Sequence, residues 1–389
     1  PLAAGDGRFD LTFAVPFTHR VRFTADVLGP AEDAALVELL DGMPGVPRRV
    51  LAVVEAGVNR SAAVADRVRA LAARHPAAVD LIDVLVIEGS ERLKTDPTGL
   101  LPVLEAIRDH GVDRRNYVLA VGGGAFLDAV GLAVALAHRG VRLIRLPTTT
   151  MGQGDSGVGV KNAINFFGKK NWLGTFAVPW AVVNDAALLD TLPDRDFRCG
   201  FAEAVKVSLL KDPGFFDELC ARAPAVAARD PAAVQWALRR SAGWHLAHIT
   251  RGGDPFETLE ARPLDFGHWS AHRMEPLTDF AVRHGEAVAT GLAIDCLYSA
   301  RKHGLPAADA GRVVRCLLDL GLPVRHPILQ DPDALLKGLE EFRQHLGGRL
   351  TVTMLRGVGD PIDVHEVDVP AMRAAIAGVE DAVAAAAED

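Results

Sequence analysis

The stretch 117-YVLAVGGGAFLDAVGLAVA-135 joins an apolar run of strand character, three consecutive glycines and an apolar helical pattern. Glycines after a strand allow backbone N–H groups to approach a pyrophosphate, and the positive end of the following helix favours its charge. The spacing departs from G-x-G-x-x-G, so an ordinary tight turn remains a competing explanation. The stretch therefore predicts a βα unit, and it favours nucleotide binding only slightly over a purely structural turn.

Apolar runs alternate with amphipathic helical patterns on both sides of this stretch. Strands are predicted at residues 48–54, 83–87, 117–121 and 142–146, and helices at 61–75, 96–110 and 126–138. Strands that alternate with helices indicate parallel βαβ units and a doubly wound sheet. Residues 11–27 are interpreted as an N-terminal hairpin or an edge ribbon.

After about Asp185 the pattern changes from alternating elements to long helices. Helical patterns cover residues 201–211, 231–248, 284–303 and 370–388. Pro193 interrupts the pattern near the change, which places a domain boundary there. The sequence therefore predicts an α/β half followed by a mostly helical half.

Composition restricts the class of protein. The 389 residues are 49% hydrophobic with a net charge of −8, and no block of like charge stands out, so nucleic acid and anionic membranes are poor partners. Four scattered cysteines indicate reduced thiols rather than a disulfide framework. With no signal segment and no apolar run of about 18 residues, we expect a soluble, cytoplasmic protein.

The stretch 264-LDFGHWSAHRMEPLTDFAVRHGEAV-288 contains three histidines. His268 and His272 are four residues apart and share a helix face, although such a pair alone is more often an ordinary surface or capping feature. Upstream, Glu203 and Lys206 lie three residues apart in an apolar helical pattern. One interpretation is an exposed ion pair; the other is a buried helix, in which the glutamate needs a partner such as a metal. A Glu/His/His set that includes His284 would leave one coordination position open, as catalytic Zn²⁺ requires. H-E-x-x-H is absent, which disfavours a zincin protease.

The stretch 146-LPTTTMGQGDSGVGVKNAINFFGKKNWLGTF-176 is rich in small residues and carries interspersed charges. Such a loop after a strand can bind phosphate and sugar hydroxyls, and a flexible basic loop is the competing interpretation.

Five motifs, in this order, resemble one family: 121-VGGGAFLDAVG-131, 146-LPTTTMGQGDSGVGVK-161, 168-GKKNWLGTF-176, 190-DTLPDRDFRCGFAEAVK-206 and 264-LDFGHWSAH…RHGEAV-288. Together they closely resemble the sugar phosphate cyclases, whose founding member is 3-dehydroquinate synthase. The resemblance implies a Rossmann-like NAD-binding domain with a parallel sheet at residues 1–185. It also implies an α-helical metal- and substrate-binding domain at residues 186–389, giving an α/β plus all-α fold.

The resemblance also implies a role for each residue that falls on a family motif. The implied ligands of Zn²⁺ or Co²⁺ are Glu203, His268 and His284. The implied NAD contacts are Glu55, Glu91, Lys94, Gly123, Gly124, Asp128, Thr148, Thr149, Lys170, Leu188, Thr191, Leu192 and Asp196. The implied catalytic residues are Asp155, Lys161, Lys206 and His272. The implied substrate contacts are Asn171, Arg139, Asp265 and Arg343. Arg139 matches an arginine that reaches the phosphate of the neighbouring subunit, which implies a homodimer.

The chemistry implied by the resemblance explains these residue types. NAD⁺ transiently oxidises a secondary alcohol of a sugar phosphate, and the metal polarises the oxygen. Phosphate then leaves by β-elimination, the hydride returns, and the opened ring closes as an intramolecular aldol. Because NAD⁺ is regenerated in every turnover, we expect it to be held tightly between the two domains.

The sequence departs from 3-dehydroquinate synthase at the positions that grip a substrate carboxylate. Ala261 replaces an arginine, with Arg262 one place away, and Asp265 replaces an asparagine. A second family lysine falls near 243-GWHLAHITRGG-253, where His245 and His248 stand instead. The segment 339-LEEFRQHLGG-348 replaces a lysine-rich phosphate contact, and leaves Arg343 or His345 as candidates.

These changes disfavour a carboxylate-bearing substrate. They predict a ketose phosphate, with sedoheptulose 7-phosphate preferred, and a C7 cyclitol of valiolone type as product. His272 is commonly proline in 2-epi-5-epi-valiolone synthases, so the chain looks closest to the EboD-type branch, whose substrate the resemblance does not fix. The alternatives are 3-dehydroquinate synthase, a metal-dependent polyol dehydrogenase of the glycerol-dehydrogenase type, and a binding protein that has lost its chemistry.

Overall fold

The computed structural model describes residues 10–41, 46–89, 91–167, 169–258, 263–345 and 349–388. One six-stranded sheet forms the first half, in the spatial order β1-β8-β5-β4-β2-β3, and all of its strand pairs are parallel. Its strands are β1 (Arg20–Thr24), β2 (Arg48–Glu55), β3 (Val79–Ile87), β4 (Tyr117–Gly122), β5 (Arg142–Pro147) and β8 (Ala181–Asp185). Two antiparallel hairpins accompany the sheet: β6 (Lys161–Phe166) with β7 (Lys169–Phe176), and β9 (Val352–Gly357) with β10 (Asp360–Val364).

Helices cover both faces of the sheet and build the second half. Those of the first half are α1 (Ala34–Val37), α2 (Ala56–Ala62), α3 (Val64–Arg74), α4 (Glu91–Thr95), α5 (Leu101–Asp109), α6 (Gly124–Leu136) and α7 (Thr150–Gly154). Those of the second half are α8 (Asp194–Lys211), α9 (Pro213–Ala227), α10 (Pro231–Arg251), α11 (His268–Leu277), α12 (His284–Lys302), α13 (Ala307–Asp319), α14 (Pro332–His345) and α15 (Val369–Glu388).

The opening stretch forms β4 and α6, and it lies in the middle of the sheet. Every residue of β4 is buried, as expected for a central parallel strand covered on both faces. One face packs on α3 through residues such as Val54 and Val68, and the other packs on α6 through Val53 and Phe126. The predicted alternation of strands and helices, and with it the parallel α/β sheet, is confirmed.

Two details differ from the sequence prediction, and a third decides between two predicted alternatives. The second predicted strand begins earlier, at Val79 rather than Asp83. Residues 20–24 of the N-terminal segment pair with β8 as an edge strand, so the edge alternative is confirmed over the hairpin. The charged loop after β5 contains an unpredicted hairpin, β6–β7, because the residues of β7 are largely exposed and carry no burial pattern.

The helical half packs around α12. Residues 285–296 of this helix are buried without interruption, among aromatic and aliphatic side chains such as Phe201, Trp269 and Met354. A helix that is buried on every side lies inside its domain, and its few polar residues, such as Glu286 and Asp295, need partners there. Helices α8 and α11 contact α12, and this contact fixes the relative positions of the residues at their N-terminal ends. Across the described ranges, every helix is too short or too polar to cross a bilayer.

Candidate active site

Three helices bring Glu203, His268 and His284 together. Glu203 lies in α8, while His268 and His284 are the first residues of α11 and α12. One side-chain ligand atom from each lies within 4.8 Å of the other two. Both Nε2 atoms are 3.5 Å from Glu203 Oε1, and the Glu203 side chain is 1% exposed. We call these three residues the metal cluster.

Local sequence determines where each of these helices begins. Pro193 precedes α8, whose first turn carries two aspartates that complement the helix dipole. Gly267 precedes α11 with φ +77°, and its N–H donates to Asp295 Oδ2 at 2.9 Å. Glu286 Oε2 accepts the Arg283 N–H at 2.9 Å, which caps the start of α12. The two histidines are therefore held at helix starts by contacts outside the metal cluster.

The outer nitrogen of each histidine already has a partner. His268 Nδ1 lies 3.0 Å from Phe266 O, and His284 Nδ1 lies 2.7 Å from Glu275 Oε1. An Nδ1–H donor in each case leaves the Nε2 lone pair directed at Glu203, the arrangement usual for metal-binding histidines. Burial lowers the pKa of His284, but the Glu275 and Glu203 carboxylates outweigh it and raise that pKa to about 9. A metal ion would therefore have to displace a proton there.

Glu203 has an unusual balance of charges for a buried carboxylate. Lys206 Nζ lies 2.5 Å from Oε2, yet neither oxygen accepts a well-directed hydrogen bond from any described residue. Burial disfavours the charged form, but Lys206 and then His268 hold the pKa of Glu203 well below its usual range. A buried carboxylate with two inward imidazoles fits a divalent cation such as Zn²⁺.

A second carboxylate, Glu275, lies behind the metal cluster. Lys170 Nζ is 2.5 Å from its Oε2, and the side chain is 5% exposed. His272 stands nearby, with its ring 5.4 Å from that of His268 and 6.0 Å from that of His284. Burial first and Lys170 second hold the pKa of His272 well below its usual range, which favours the neutral imidazole. His272, Glu275 and His284 also have ligand atoms within 4.8 Å of one another, but Lys170 already neutralises Glu275.

The neighbouring side chains form a charged lining, which we call the substrate wall: Asp155, Lys161, His245, Glu257 and Asp265. Asp155 Oδ1 lies 2.7 Å from His245 Nδ1, and Lys161 Nζ lies 2.5 Å from Glu257 Oε1. Lys206 connects the wall to the metal cluster. Burial alone would lower the pKa of Lys206, but Glu203 and Asp155, with a smaller contribution from Asp265, raise it above its usual value.

Residues predicted to contact the cofactor lie at the carboxyl edge of the sheet. Glu55 Oε2 accepts the Gly123 N–H at 2.8 Å, which places this carboxylate at the glycine turn before α6. Lys94 Nζ donates to Asp128 Oδ2 at 2.8 Å and to Asn171 Oδ1 at 2.7 Å. Ligands of open α/β sheets bind at this edge. The structure thus joins α4, α6 and the β6–β7 hairpin at one place.

The other predicted positions are distributed over several elements of both halves. Thr148 N donates to Gly122 O, Thr149 caps α7, Gly124 opens α6, Leu188 is buried in the core, Thr191 contacts Ser61, Leu192 O accepts from Arg229, and Asp196 pairs with Arg283. Arg139 is exposed after α6. Arg343 pairs with Glu340 on an exposed turn of α14. The Glu91 side chain, Ala261, Arg262 and the His345 side chain lie outside the described residues. The roles of all these residues stay predictions.

Sequence reasoning missed Glu257 and Glu275. Glu275 lies three residues after His272, so the helical period places it on the same side of α11 as the histidines, and that was the available signal. Nothing in the order of residues indicates that Glu257 meets Lys161, because that pair joins a loop after α10 to the hairpin.

Comparison with known proteins places this fold and site in a family. Residues 84–199 match the model of the 3-dehydroquinate synthase N-terminal domain, and residues 200–342 match that of its C-terminal domain. A 3-dehydroquinate synthase from Halorhodospira halophila is 37% identical over 283 residues, covering 72% of this chain and 78% of that protein. A 2-epi-5-epi-valiolone synthase from Streptomyces glaucescens is 35% identical over 377 residues, covering 95% and 93%.

A solved structure extends this agreement to three dimensions. It is a 2-epi-5-epi-valiolone synthase from Streptomyces hygroscopicus with NAD⁺ and Zn²⁺ bound, with a TM-score of 0.85, 29% identity, and coverage of 96% of this chain and 99% of that one. The fold and site thus define a sugar phosphate cyclase. The chain belongs to the 3-dehydroquinate synthase family, so the resemblance drawn from its motifs is confirmed.

Proposed function

We propose that this cyclase converts a ketose phosphate without a carboxylate, preferably sedoheptulose 7-phosphate, to a C7 cyclitol of valiolone type with release of phosphate. The observation that carries the proposal is the charge of the substrate wall. Asp155 is paired with His245, and Asp265 acts electrostatically on Lys206. Asp155 matches a family position, whereas Asp265 stands in place of an asparagine of 3-dehydroquinate synthase. A substrate carboxylate beside Asp265 would meet like charge, which disfavours that class of substrate.

The metal and the cofactor are assigned to separate groups of residues. Glu203, His268 and His284 would hold a divalent ion, Zn²⁺ or Co²⁺, which would act as a Lewis acid on a substrate oxygen. NAD would bind at the carboxyl edge, near Gly123, Gly124 and the residues predicted with them, and would take up and return a hydride. Glu55, beside the glycine turn, would accept hydrogen bonds from the ribose hydroxyls. The Zn²⁺ and NAD⁺ of the solved relative support both assignments.

Substrate binding and proton transfer fall to the chain's own side chains. Lys206 carries a positive charge next to the metal cluster and would orient a hydroxyl there. Neutral His272 can accept a proton at its unprotonated ring nitrogen and return it later in the reaction. Lys161 and Asn171 would bind the phosphate. The phosphate would replace the Glu257 carboxylate as the partner of Lys161. Arg139 would supply a further phosphate contact from a second copy, which makes a homodimer the proposed active unit.

The relatives support both the proposal and one alternative. The 2-epi-5-epi-valiolone synthase matches 95% of the chain, against 72% for the 3-dehydroquinate synthase named above. The latter, however, has the higher identity over its matched part, 37% against 35%. His272 also departs from the proline common in valiolone synthases. 3-Dehydroquinate synthase is therefore the second candidate function.

Substrate comparison separates the two candidates. The protein, supplied with NAD⁺ and Zn²⁺, is incubated in parallel with sedoheptulose 7-phosphate and with the heptulosonate phosphate of the shikimate pathway. Phosphate release, net NADH and the product NMR spectrum are recorded. We expect phosphate and a cyclitol from the first substrate, without net NADH. Faster turnover of the heptulosonate would contradict the proposal and support the alternative, whereas accumulating NADH would indicate a polyol dehydrogenase.

A further inference from the structure

Glu275 joins two parts of the molecule through its two oxygens. Oε1 lies 2.7 Å from His284 Nδ1, at the start of α12. Oε2 lies 2.5 Å from Lys170 Nζ, in strand β7 of the hairpin. The carboxylate is buried in α11 and therefore needs both partners, because an unpaired buried charge is strongly unfavourable.

The hairpin residue next to Lys170 is also fixed. Asn171 Oδ1 accepts from Lys94 Nζ at 2.7 Å, and Asn171 N donates to Asn165 Oδ1 at 2.9 Å. Asn171 adopts φ +52°, a left-handed conformation that needs such support in a residue other than glycine. Strand β7 is thus tied to the sheet edge through Asn171 and to the helical half through Lys170.

We propose that Glu275 is a positioning residue that couples the β6–β7 hairpin to the metal centre. The inference rests on the proposed function, because it requires Glu203, His268 and His284 to bind the ion. One oxygen holds His284 with Nε2 directed at Glu203, and the other holds the hairpin that carries Lys170 and Asn171. By linkage, an ion that favours the oriented imidazole also favours the docked hairpin, and the docked hairpin favours ion binding.

The two imidazoles differ in this respect. His268 is oriented by the backbone carbonyl of Phe266, so its orientation does not depend on the hairpin. His284 is oriented by a side chain whose charge is balanced by Lys170. Without the Lys170 ammonium, the Glu275 carboxylate would lose the contact that fixes its second oxygen, and its first oxygen would hold the His284 ring less firmly. Lys170 therefore affects metal affinity without touching the ion.

Metal affinity of four forms tests this coupling: wild type, Glu275→Gln, Lys170→Met and the double variant. Zn²⁺ affinity is measured by competition with a chromophoric chelator, and the Co²⁺-loaded forms are compared by visible spectroscopy. In Glu275→Gln, the introduced amide keeps an acceptor for His284, but it loses the charge and opposes Lys170 with a donor. We expect ~10–100-fold weaker Zn²⁺ binding for Glu275→Gln and a changed Co²⁺ spectrum. Lys170→Met should weaken binding by a smaller factor, and it should add little when Glu275 is already replaced.

Glu286→Gln is the matched control. Glu286 is another buried carboxylate near His284, but its charge pairs with Arg195 at 2.6 and 2.7 Å. A glutamine at this position keeps an oxygen that accepts the Arg283 N–H, so the cap of α12 is retained. This variant should lower thermal stability while leaving Zn²⁺ affinity within about twofold of wild type. Unchanged affinity in Glu275→Gln or in Lys170→Met would overturn the coupling, and so would additive effects in the double variant. A wild type that binds no Zn²⁺ would instead overturn the proposed function.

Discussion

The metal cluster and the substrate wall lie next to each other but are built in different ways. All three residues of the metal cluster come from helices of the second half, and those helices pack on one another through buried surfaces. The wall draws on both halves, and it uses a hairpin, a helix and a loop. Lys161 of the wall is 53% exposed, whereas Glu203 of the cluster is 1% exposed.

Because of this difference, we expect the reaction to depend on the metal cluster and the choice of substrate to depend on the wall. A site held by packed helices tolerates little change, because each of its groups depends on several buried contacts. The wall contains two simple pairs, Asp155 with His245 and Lys161 with Glu257. Such pairs can be exchanged one at a time without repacking a core. The metal cluster keeps the three residues of the family motif, whereas two departures from 3-dehydroquinate synthase, at His245 and Asp265, lie in the wall.

Glu203→Gln should have the largest effect. It removes the anionic ligand and leaves the Lys206 ammonium buried without its partner, at a cost of ~3–5 kcal/mol in folding stability. We expect Zn²⁺ affinity to fall by more than the ~100-fold that outer contacts reach, together with loss of cyclisation. Chelator competition and phosphate release measure the two effects. Retained Zn²⁺ binding in a folded variant would show that the cluster is not the metal site.

Lys161→Met should have the next largest effect, and it should be confined to the wall. Loss of one charge-assisted contact to phosphate is worth ~1.5–3 kcal/mol, or ~10–100-fold in kcat/KM. Steady-state kinetics should show most of this change in KM, with Zn²⁺ affinity unaltered. The control is Lys169→Met, a neighbouring exposed lysine of the same hairpin. Equal effects of the two substitutions would indicate general attraction of phosphate rather than a specific contact.

Substitutions that restore cationic or neutral groups should change substrate preference. In the double variant His245→Lys with Asp265→Asn, the wall gains positive charge and loses negative charge. Removing like charge should raise turnover of the heptulosonate phosphate relative to sedoheptulose 7-phosphate by about tenfold. Competition between the two substrates, followed by NMR, gives this ratio directly. An unchanged ratio would mean that substrate choice is determined elsewhere.

Glu257→Gln should have the smallest effect, and in the opposite direction. Glu257 pairs with Lys161, so a substrate phosphate would have to displace the Glu257 carboxylate from this lysine. Because Lys161 is half exposed, the pair is worth ~0.2–1 kcal/mol, and its removal should lower KM by up to about fivefold. Substrate titration at constant ionic strength measures this, with Glu286→Gln as a carboxylate control outside the wall. A higher KM would show that Glu257 binds substrate rather than competing with it.

The sequence predicted the central part of the fold because burial leaves a clear pattern there. Strand β4 is an unbroken apolar run, and the helix after its glycines is apolar on nearly every side. The hairpin strand β7 was missed because its exposed residues show no such pattern. Its identity as a strand depends on pairing with β6, and pairing leaves little trace in composition.

Within the candidate site, the sequence identified residue types but not their partners. The motifs singled out Glu203, His268 and His284, and the structure brings these three together. The link between Lys170 and Glu275 joins residues 105 positions apart, and no local rule indicates it. The pairing of Asp155 with His245 likewise depends on how α10 lies against the loop after β5. Contacts between elements are what the sequence alone could not supply.

The position of both histidines at the start of a helix has an electrostatic consequence. Aligned peptide dipoles place roughly half a positive charge at the first turn of each helix. Helices α11 and α12 begin at His268 and His284, whose side chains point toward Glu203. Their field favours an oxygen that gains negative charge in front of the imidazoles. Because the backbone carries this field, it would persist even if every side chain of the wall were replaced.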